Sequence, residues 1–232
     1  MPHSPAVVGG LIESAIGRRA HVIDVHEPAP GFLELQMHAA PPPGGWQPGH
    51  EIQLRVAPTL GRRYTVRTVT GPDSQHISLL AATDASGPGT TYLQRLRVGD
   101  HLRLIAGRHR PLRVSGDRLA LLGDGCTLGT LDAYARAVNA AFVTVEVPAD
   151  AAAPLTERWP RYRFIPAWGK RGEALQSWLD HAIDTDGLGQ LDGALLLGHA
   201  QSIQRQRHAL SATLPRRSIT TKPYWATGKH GL

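Results

Sequence analysis

Short stretches in which apolar and polar residues alternate fill the first half of the chain. Ala20–His26 and Phe32–His38 keep the period of two that a half-buried strand requires, and Pro28, Pro30 and Gly31 between them read as a turn, so the pair predicts a hairpin. Glu51–Val56, Tyr64–Thr70, His76–Ala81 and His101–Ile105 follow at the spacing of an antiparallel barrel. Ala39–Gly49, with Pro41, Pro42, Pro43, Gly44 and Gly45, reads as a loop, and Gly87–Leu96 as a glycine-rich loop running into a short helix. The residues before Arg18 form a small-residue leader with one short helix expected over Leu11–Ile16.

After about Ser115 the period changes. Arg118–Leu122, Phe142–Val147, Arg163–Pro166, Gly193–Leu197 and Ser218–Thr220 read as strands, and Leu128–Ala140, Glu173–His181 and Gln201–Thr213 as helices between them. Strands alternating with helices predict a parallel sheet covered by helices. The expected architecture is therefore β followed by α/β: an antiparallel β-barrel domain over 1–115 and an α/β nucleotide-binding domain over 116–232.

Composition narrows the chemistry. Of 232 residues 41% are hydrophobic, yet no apolar run approaches the roughly 20 residues of a membrane span, and the N-terminus lacks a secretory pattern. A soluble, cytoplasmic monomer without a membrane partner is expected. The single cysteine, Cys126, excludes an intrachain disulfide and any multi-cysteine iron–sulfur or zinc site, which leaves redox work to a dissociable cofactor. Twelve histidines show no His-x-x-x-His or His-Glu-x-x-His spacing, so no metal site is expected. A formal charge of +6 favours an anionic partner. No Asp or Glu occurs from Gly193 to Leu232, where Arg205, Arg207, Arg216, Arg217, Lys222 and Lys229 concentrate the positive charge.

Three stretches carry candidate chemistry. Arg62-Arg63-Tyr64-Thr65-Val66-Arg67 puts cations and an aromatic ring on one strand, with Tyr64 and Thr65 on opposite faces; it suits a dinucleotide, and equally a solvated edge strand. The start of the helix after Gly87-Pro88-Gly89-Thr90-Thr91 presents backbone N–H groups to a pyrophosphate, though an ordinary capped helix has the same sequence. Gly123-Asp124-Gly125-Cys126-Thr127 lies where the first strand of the parallel sheet meets its first helix, the natural nucleotide site of such a sheet. Cys126 reads as a small turn residue in preference to a nucleophile. Beyond the second strand, Glu146 and Asp150 are candidates for a ribose diol and would favour NADH, whereas Arg158, Arg161 and Arg163 would meet a 2′-phosphate; the pattern leaves both open.

Arg62-x-Tyr64-Thr65-x-Arg67 resembles the Arg-x-Tyr-(Ser/Thr) flavin motif of the ferredoxin-reductase superfamily, and the trailing arginine is typical of its siderophore-interacting branch. The resemblance implies an FAD site in which Tyr64 packs on the isoalloxazine, Arg62 meets the pyrophosphate and Thr65 bonds the flavin. Arg67 completes the motif, and Thr90 and Thr91 take the place of the pyrophosphate-contacting hydroxyl. Gly99-Asp100 matches the pair before the last barrel strand, while the family's following Gly-Pro is Gly107-Arg108 here, with Arg108, Arg110 and Arg113 close by for phosphate binding or solubility. Gly123-Asp124 and Thr127 align with the branch's Gly-Asp-Glu-Thr-Ala-Leu-Pro turn through a one-residue insertion. Leu197-Gly198-His199-Ala200 resembles its Gly-Glu-Ala turn with histidine for glutamate, and Arg205 and Arg207 match its basic helix. Lys222-Pro223-Tyr224-Trp225-Ala226-Thr227-Gly228 resembles its closing Tyr-Trp-x-x-Gly. Tyr224 and Trp225 read as core aromatics by themselves, and under the resemblance as rings near the flavin or nicotinamide. His199 is expected to bond locally at a helix start.

The resemblance implies a reductase that moves hydride from NADPH or NADH to FAD across an interdomain cleft and then single electrons to Fe(III) in a siderophore. No catalytic side chain is implied, because the flavin carries the chemistry. Arg216, Arg217, Lys222 and Lys229 are the expected attractors of an anionic ferric chelate. Another acceptor, such as ferredoxin, flavodoxin or free flavin, is the nearest alternative. A nucleic-acid-binding barrel is the more distant one, disfavoured by only three Phe and five Tyr, and no nucleic-acid partner is expected.

Overall fold

The computed structural model describes residues 17–106, 116–138 and 140–228. The expected Leu11–Ile16 helix, Gly107-Arg108, Arg110, Arg113 and Lys229 lie outside the described residues. The chain divides into two compact units, Met1–Leu112 and Arg113–Leu232.

In the first unit, β1 (Arg18–Ala29), β2 (Phe32–Ala39), β3 (Glu51–Ala57), β4 (Leu60–Thr65), β5 (Thr68–Thr70) and β6 (His76–Ala82) precede helix α1 (Pro88–Arg95), and β7 (His101–Ala106) follows it. These strands form one antiparallel sheet in the order β4-β3-β7-β1-β2-β6-β5. The single strand expected over Tyr64–Thr70 is two. Val66 still bonds toward β3, its N–H donating to His50 O at 2.7 Å, whereas the Arg67 N–H donates to Ser78 O of β6 at 2.8 Å. The two outermost strands are thus one stretch of chain, which closes the sheet into a barrel and leaves no long free edge. Alternation sends Val22, Leu35, Met37, Ile52, Leu54, Ile77, Leu79 and Leu104 inward, where all are essentially buried, and Leu93 of α1 joins them. Burying each such side chain contributes about 1.5–3 kcal/mol. Trp46 pins the proline-rich loop, its indole N–H donating to Ala39 O at 3.1 Å.

In the second unit β8 (Arg118–Asp124), α2 (Leu128–Ala135), β9 (Ala140–Val147), α3 (Ala149–Arg158), β10 (Arg163–Pro166), α4 (Glu173–Asp184), β11 (Gly193–His199), α5 (Ala200–Leu210) and β12 (Ile219–Trp225) follow in order. The strands form a parallel sheet ordered β10-β9-β8-β11-β12. β8 and β11 read as unbroken apolar runs because they lie inside the sheet, covered on both faces. The helix expected to reach Ala140 stops at Ala135, since β9 already pairs with Arg118 at Ala140 and the intervening residues must turn. α3 was not among the expected helices; Pro148 stands just before it and Pro154 within it forgoes a single rung. β12 runs five residues beyond its expected end at Thr220, through Pro223, which an outer strand tolerates.

Candidate functional site

Chain order sets the second unit's site. From β8 the chain moves outward through β9 to β10, then returns to the other side of β8 as β11 and β12. The order reverses between β8 and β11, and ligands of such sheets bind at the C-terminal strand ends beside that reversal. Asp124 ends β8, His199 ends β11 and Trp225 ends β12.

These three residues meet. Asp124 Oδ2 accepts the Trp225 indole N–H at 2.8 Å and the His199 backbone N–H at 3.0 Å, while Oδ1 accepts the Cys126 thiol at 2.8 Å. Burial pushes the Asp124 carboxyl above its usual range, against those donors and the Arg171 cation, which favour the carboxylate. The His199 ring stacks on Trp225 with centroids 4.3 Å apart, and its nitrogens pair with Ser202 Oγ at 2.8 Å and Thr227 Oγ1 at 2.9 Å. Burial, then Arg205 and Arg171, hold the His199 imidazole below its usual pKa. The Arg171 guanidinium lies 5.3 Å from the Trp225 ring centroid. Two glycines permit this packing: a Cβ on Gly198 (φ +108°) would come within 2.5 Å of Asp124 Oδ2, and one on Gly123 within 2.2 Å of Thr127 Oγ1. Thr127 closes the turn after β8 by donating to Asp124 O at 2.8 Å.

The sequence-predicted nucleotide residues divide accordingly. Gly123, Asp124, Gly125, Cys126 and Thr127 stand together at the sheet's ligand edge, with Cys126 exposed and bonded to Asp124. Glu146 departs from the expectation of a ribose contact. Its carboxylate is buried and accepts the N–H of Gly172 at 2.7 Å and of Leu175 at 2.9 Å, so it holds the N-terminus of α4. Asp150 is exposed in the first turn of α3. Arg158 and Arg163 lie over Trp159 and Trp178. Arg171, Ser202 and Thr227 escaped the sequence reading; they reach the site through loops and a helix start, and no local pattern marks them.

Tyr224 and Trp225, expected with the flavin set, belong to the second unit. Tyr224 OH pairs with Thr130 Oγ1 at 3.0 Å, and Trp225 is tied to the turn that the sequence assigned to the nicotinamide nucleotide. Arg216 and Arg217 are exposed in the turn that precedes β12, and Lys222 lies midway along it, 5.6 Å from the Tyr224 ring. A strand of this length spans about 20 Å, which puts Arg216 and Arg217 at the edge opposite Asp124. The expected cationic patch is therefore not a single patch at the ligand edge.

In the first unit the predicted strand and the predicted glycine loop come together. Arg62 and Tyr64 share a face of β4, opposite Leu54 and Ile52 of β3. Gly89, in the first turn of α1, is so close that a Cβ there would lie 3.0 Å from Tyr64 OH and 3.5 Å from Arg62 Cγ. Tyr64 is half-buried, and burial pushes its phenol up to about 12 against the pull of Arg62. Thr65 pairs with Glu51 on the other face. Thr90 donates to Ala85 O at 2.7 Å, and Thr91 is exposed. Arg67 departs from the flavin set: it is buried, with its guanidinium on Glu34 Oε1 at 2.5 Å. Glu34 also faces His26, whose other nitrogen meets Asp24 at 3.1 Å.

No protein-family model matches the sequence, and no curated protein matches it. Solved structures do. A siderophore-interacting protein from Acinetobacter baumannii superposes with a TM-score of 0.73 at 16% identity over 92% of each chain. The fold is ferredoxin-reductase-like. SipS, a siderophore-interacting protein from Aeromonas hydrophila, gives 0.68 at 17% identity, covering 92% of this chain and 93% of the other. Phthalate dioxygenase reductase, described as a modular structure for electron transfer from pyridine nucleotides to [2Fe-2S], gives 0.71 at 13% identity over 94% of this chain and 71% of that one. Among the described residues no helix is long and apolar enough to cross a membrane.

Proposed function

We propose that the protein is a flavin-dependent reductase that takes hydride from NADPH or NADH and delivers single electrons to Fe(III) held by a siderophore. The observation that carries this reading is the likeness to siderophore-interacting proteins over nearly the whole of both chains, joined to a ligand edge built around Asp124. The residues fit a flavin dinucleotide: the α1 backbone at Gly89 lies against the Arg62–Tyr64 face with no side chain between. Arg62, Tyr64, Thr65, Thr90 and Thr91 are the groups to hold FAD, with Arg62 supplying the cation for its pyrophosphate. Arg67 acts one layer back, anchoring the strand through Glu34.

FAD, when bound, accepts hydride and releases electrons one at a time, chemistry that no side chain offers. The protein's part is to position the reactants. At the second unit, the glycine turn from Gly123 to Thr127 lets backbone approach a nicotinamide nucleotide, and Asp124 fixes Trp225 and the start of α5 beside it. Arg171 and Arg205 provide positive charge at that edge for the nucleotide phosphates. Lys222 and the protein's overall charge of +6 favour approach of an anionic chelate.

A second reading, a reductase for a ferredoxin, flavodoxin or free flavin, draws on the likeness to phthalate dioxygenase reductase. This chain's single cysteine cannot itself ligate a [2Fe-2S] cluster. Reconstitution with FAD, followed by stopped-flow bleaching with NADPH and NADH, tests the common core of both readings. Steady-state reduction of a ferric siderophore, with a ferrous chelator as trap, is then compared with reduction of ferredoxin. Failure to bind FAD or to bleach would sink the proposal; bleaching with preference for ferredoxin would favour the second reading.

A further inference from the structure

Four of the twelve histidines fall into one line across the barrel. His101 of β7 is the cross-strand partner of His21 of β1, His21 of His38 of β2, and His38 of His76 of β6. Direct partners on adjacent antiparallel strands share a face. Ala20, Val22, Met37, Ile77 and Leu102, next to them in sequence, point into the core, so the row faces outward. Successive ring centroids are 6.1, 4.9 and 5.5 Å apart. Among the described residues no hydrogen bond or ion pair engages any of these four rings.

We propose that this row binds a divalent transition-metal ion of borderline softness, of the kind of Zn²⁺, Ni²⁺ or Cu²⁺, with His21 and His38 as its two protein ligands. Two imidazoles on one tetrahedral ion, at metal–nitrogen distances of about 2.0–2.1 Å, have ring centroids about 5 Å apart. The His21–His38 centroids are 4.9 Å apart with the rings stacked at 29°, so turning the rings about their side-chain bonds, without movement of the strands, brings one nitrogen of each onto the ion. No three His, Cys, Asp or Glu side chains among the described residues converge on one ion position, so water completes the coordination. Arg19 and Arg103 decide which pair is used. They are cross-strand partners two residues along from His21 and His101, on the same face, and their charge disfavours a cation on the β7 side. His76 stands on the other flank, its ring 3.1 Å from where a Cβ on Gly71 would lie. Imidazole rather than carboxylate ligands select against Mg²⁺ and Ca²⁺.

The site is independent of the flavin and nucleotide residues, and its test uses the whole untagged chain. Calorimetric titration with ZnCl₂ is expected to show one ion bound, Cu²⁺ binding more tightly, and no competition from excess Mg²⁺. H21Q and H38Q should each weaken Zn²⁺ by about tenfold or more, while H208Q, an exposed histidine on α5, should not change it. A measurement on the unaltered chain needs no variant: with ¹⁵N-labelled histidine, Zn²⁺ should shift the ring nitrogens of two residues before any others. Absence of binding below millimolar Zn²⁺ would overturn the proposal, as would equal affinity in H38Q or loss of affinity in H208Q.

Discussion

The Trp225 indole donates to Asp124 Oδ2 at 2.8 Å, joining residues 101 positions apart at the ends of β12 and β8. Because the same oxygen accepts the His199 backbone N–H of β11, one carboxylate ties three strand ends together. W225F keeps an aromatic ring beside His199 but removes the donor together with part of the indole's packing area. Loss of a hydrogen bond to a charged acceptor should lower stability by about 1.5–3 kcal/mol, measured by urea unfolding. A change below about 0.5 kcal/mol would mean the indole N–H contributes little.

Gly198 allows that arrangement. G198A combines a left-handed backbone with a Cβ pressed to within 2.5 Å of the Asp124 carboxylate. A loss of at least about 1–3 kcal/mol is expected, together with weaker nicotinamide-nucleotide binding in titrations.

Arg67 and Glu34 form a buried ion pair on the strand face opposite Leu35 and Met37. R67A leaves Glu34 without that cation and should destabilise by about 3–5 kcal/mol, whereas the double substitution R67M/E34L removes both charges and should recover a large part of the loss. If the double variant is as unstable as R67A, the pairing is not the source of the effect.

His199 predicts a pH dependence. Its folded pKa lies below the ordinary value of 6.5, so between the two values the unfolded chain binds more protons than the folded one. Stability from keeping the ring neutral is fully present above pH 6.5 and is lost as pH falls toward the folded pKa. Asp124, with its raised pKa, acts in the opposite sense, taking up a proton in the fold as pH falls. Melting temperature against pH should therefore fall less steeply below 6.5 in H199Q than in the parent. An unchanged profile would remove His199 as the cause.

Arg216 and Arg217 sit before β12, away from the ligand edge. R216A/R217A should leave kcat/KM for a ferric siderophore within about twofold, while R62A should abolish FAD retention. A large loss of kcat/KM in the first variant would restore these arginines to the substrate path.

Much of this was legible locally. Alternation marked the barrel strands, and the switch to strand–helix alternation marked the parallel sheet. Arg62, Tyr64, the loop around Gly89 and the turn from Gly123 to Thr127 stood out by residue type, which by itself left a solvated edge strand, a capped helix and an ordinary turn equally open. Glu146 and Arg67 were misjudged for a common reason: a charged residue near a motif looks available until its partner is known. Their partners, Gly172 and Leu175 for Glu146 and Glu34 for Arg67, stand 26 to 33 positions away. Arg171, Ser202 and Thr227 gave no signal because each acts through a neighbour that only folding supplies.

The sequence by itself determined the two kinds of sheet and the stretches that end at their ligand edges, since periodicity and glycine placement are properties of neighbouring residues. Tertiary structure alone decided which side chains share a site. It turned one expected strand into the closure of the barrel, gathered Asp124, His199 and Trp225 around one carboxylate, and lined up His101, His21, His38 and His76 across four strands. Helical spacing could not reveal that histidine row, because cross-strand register is set by long-range pairing and has no fixed separation along the chain.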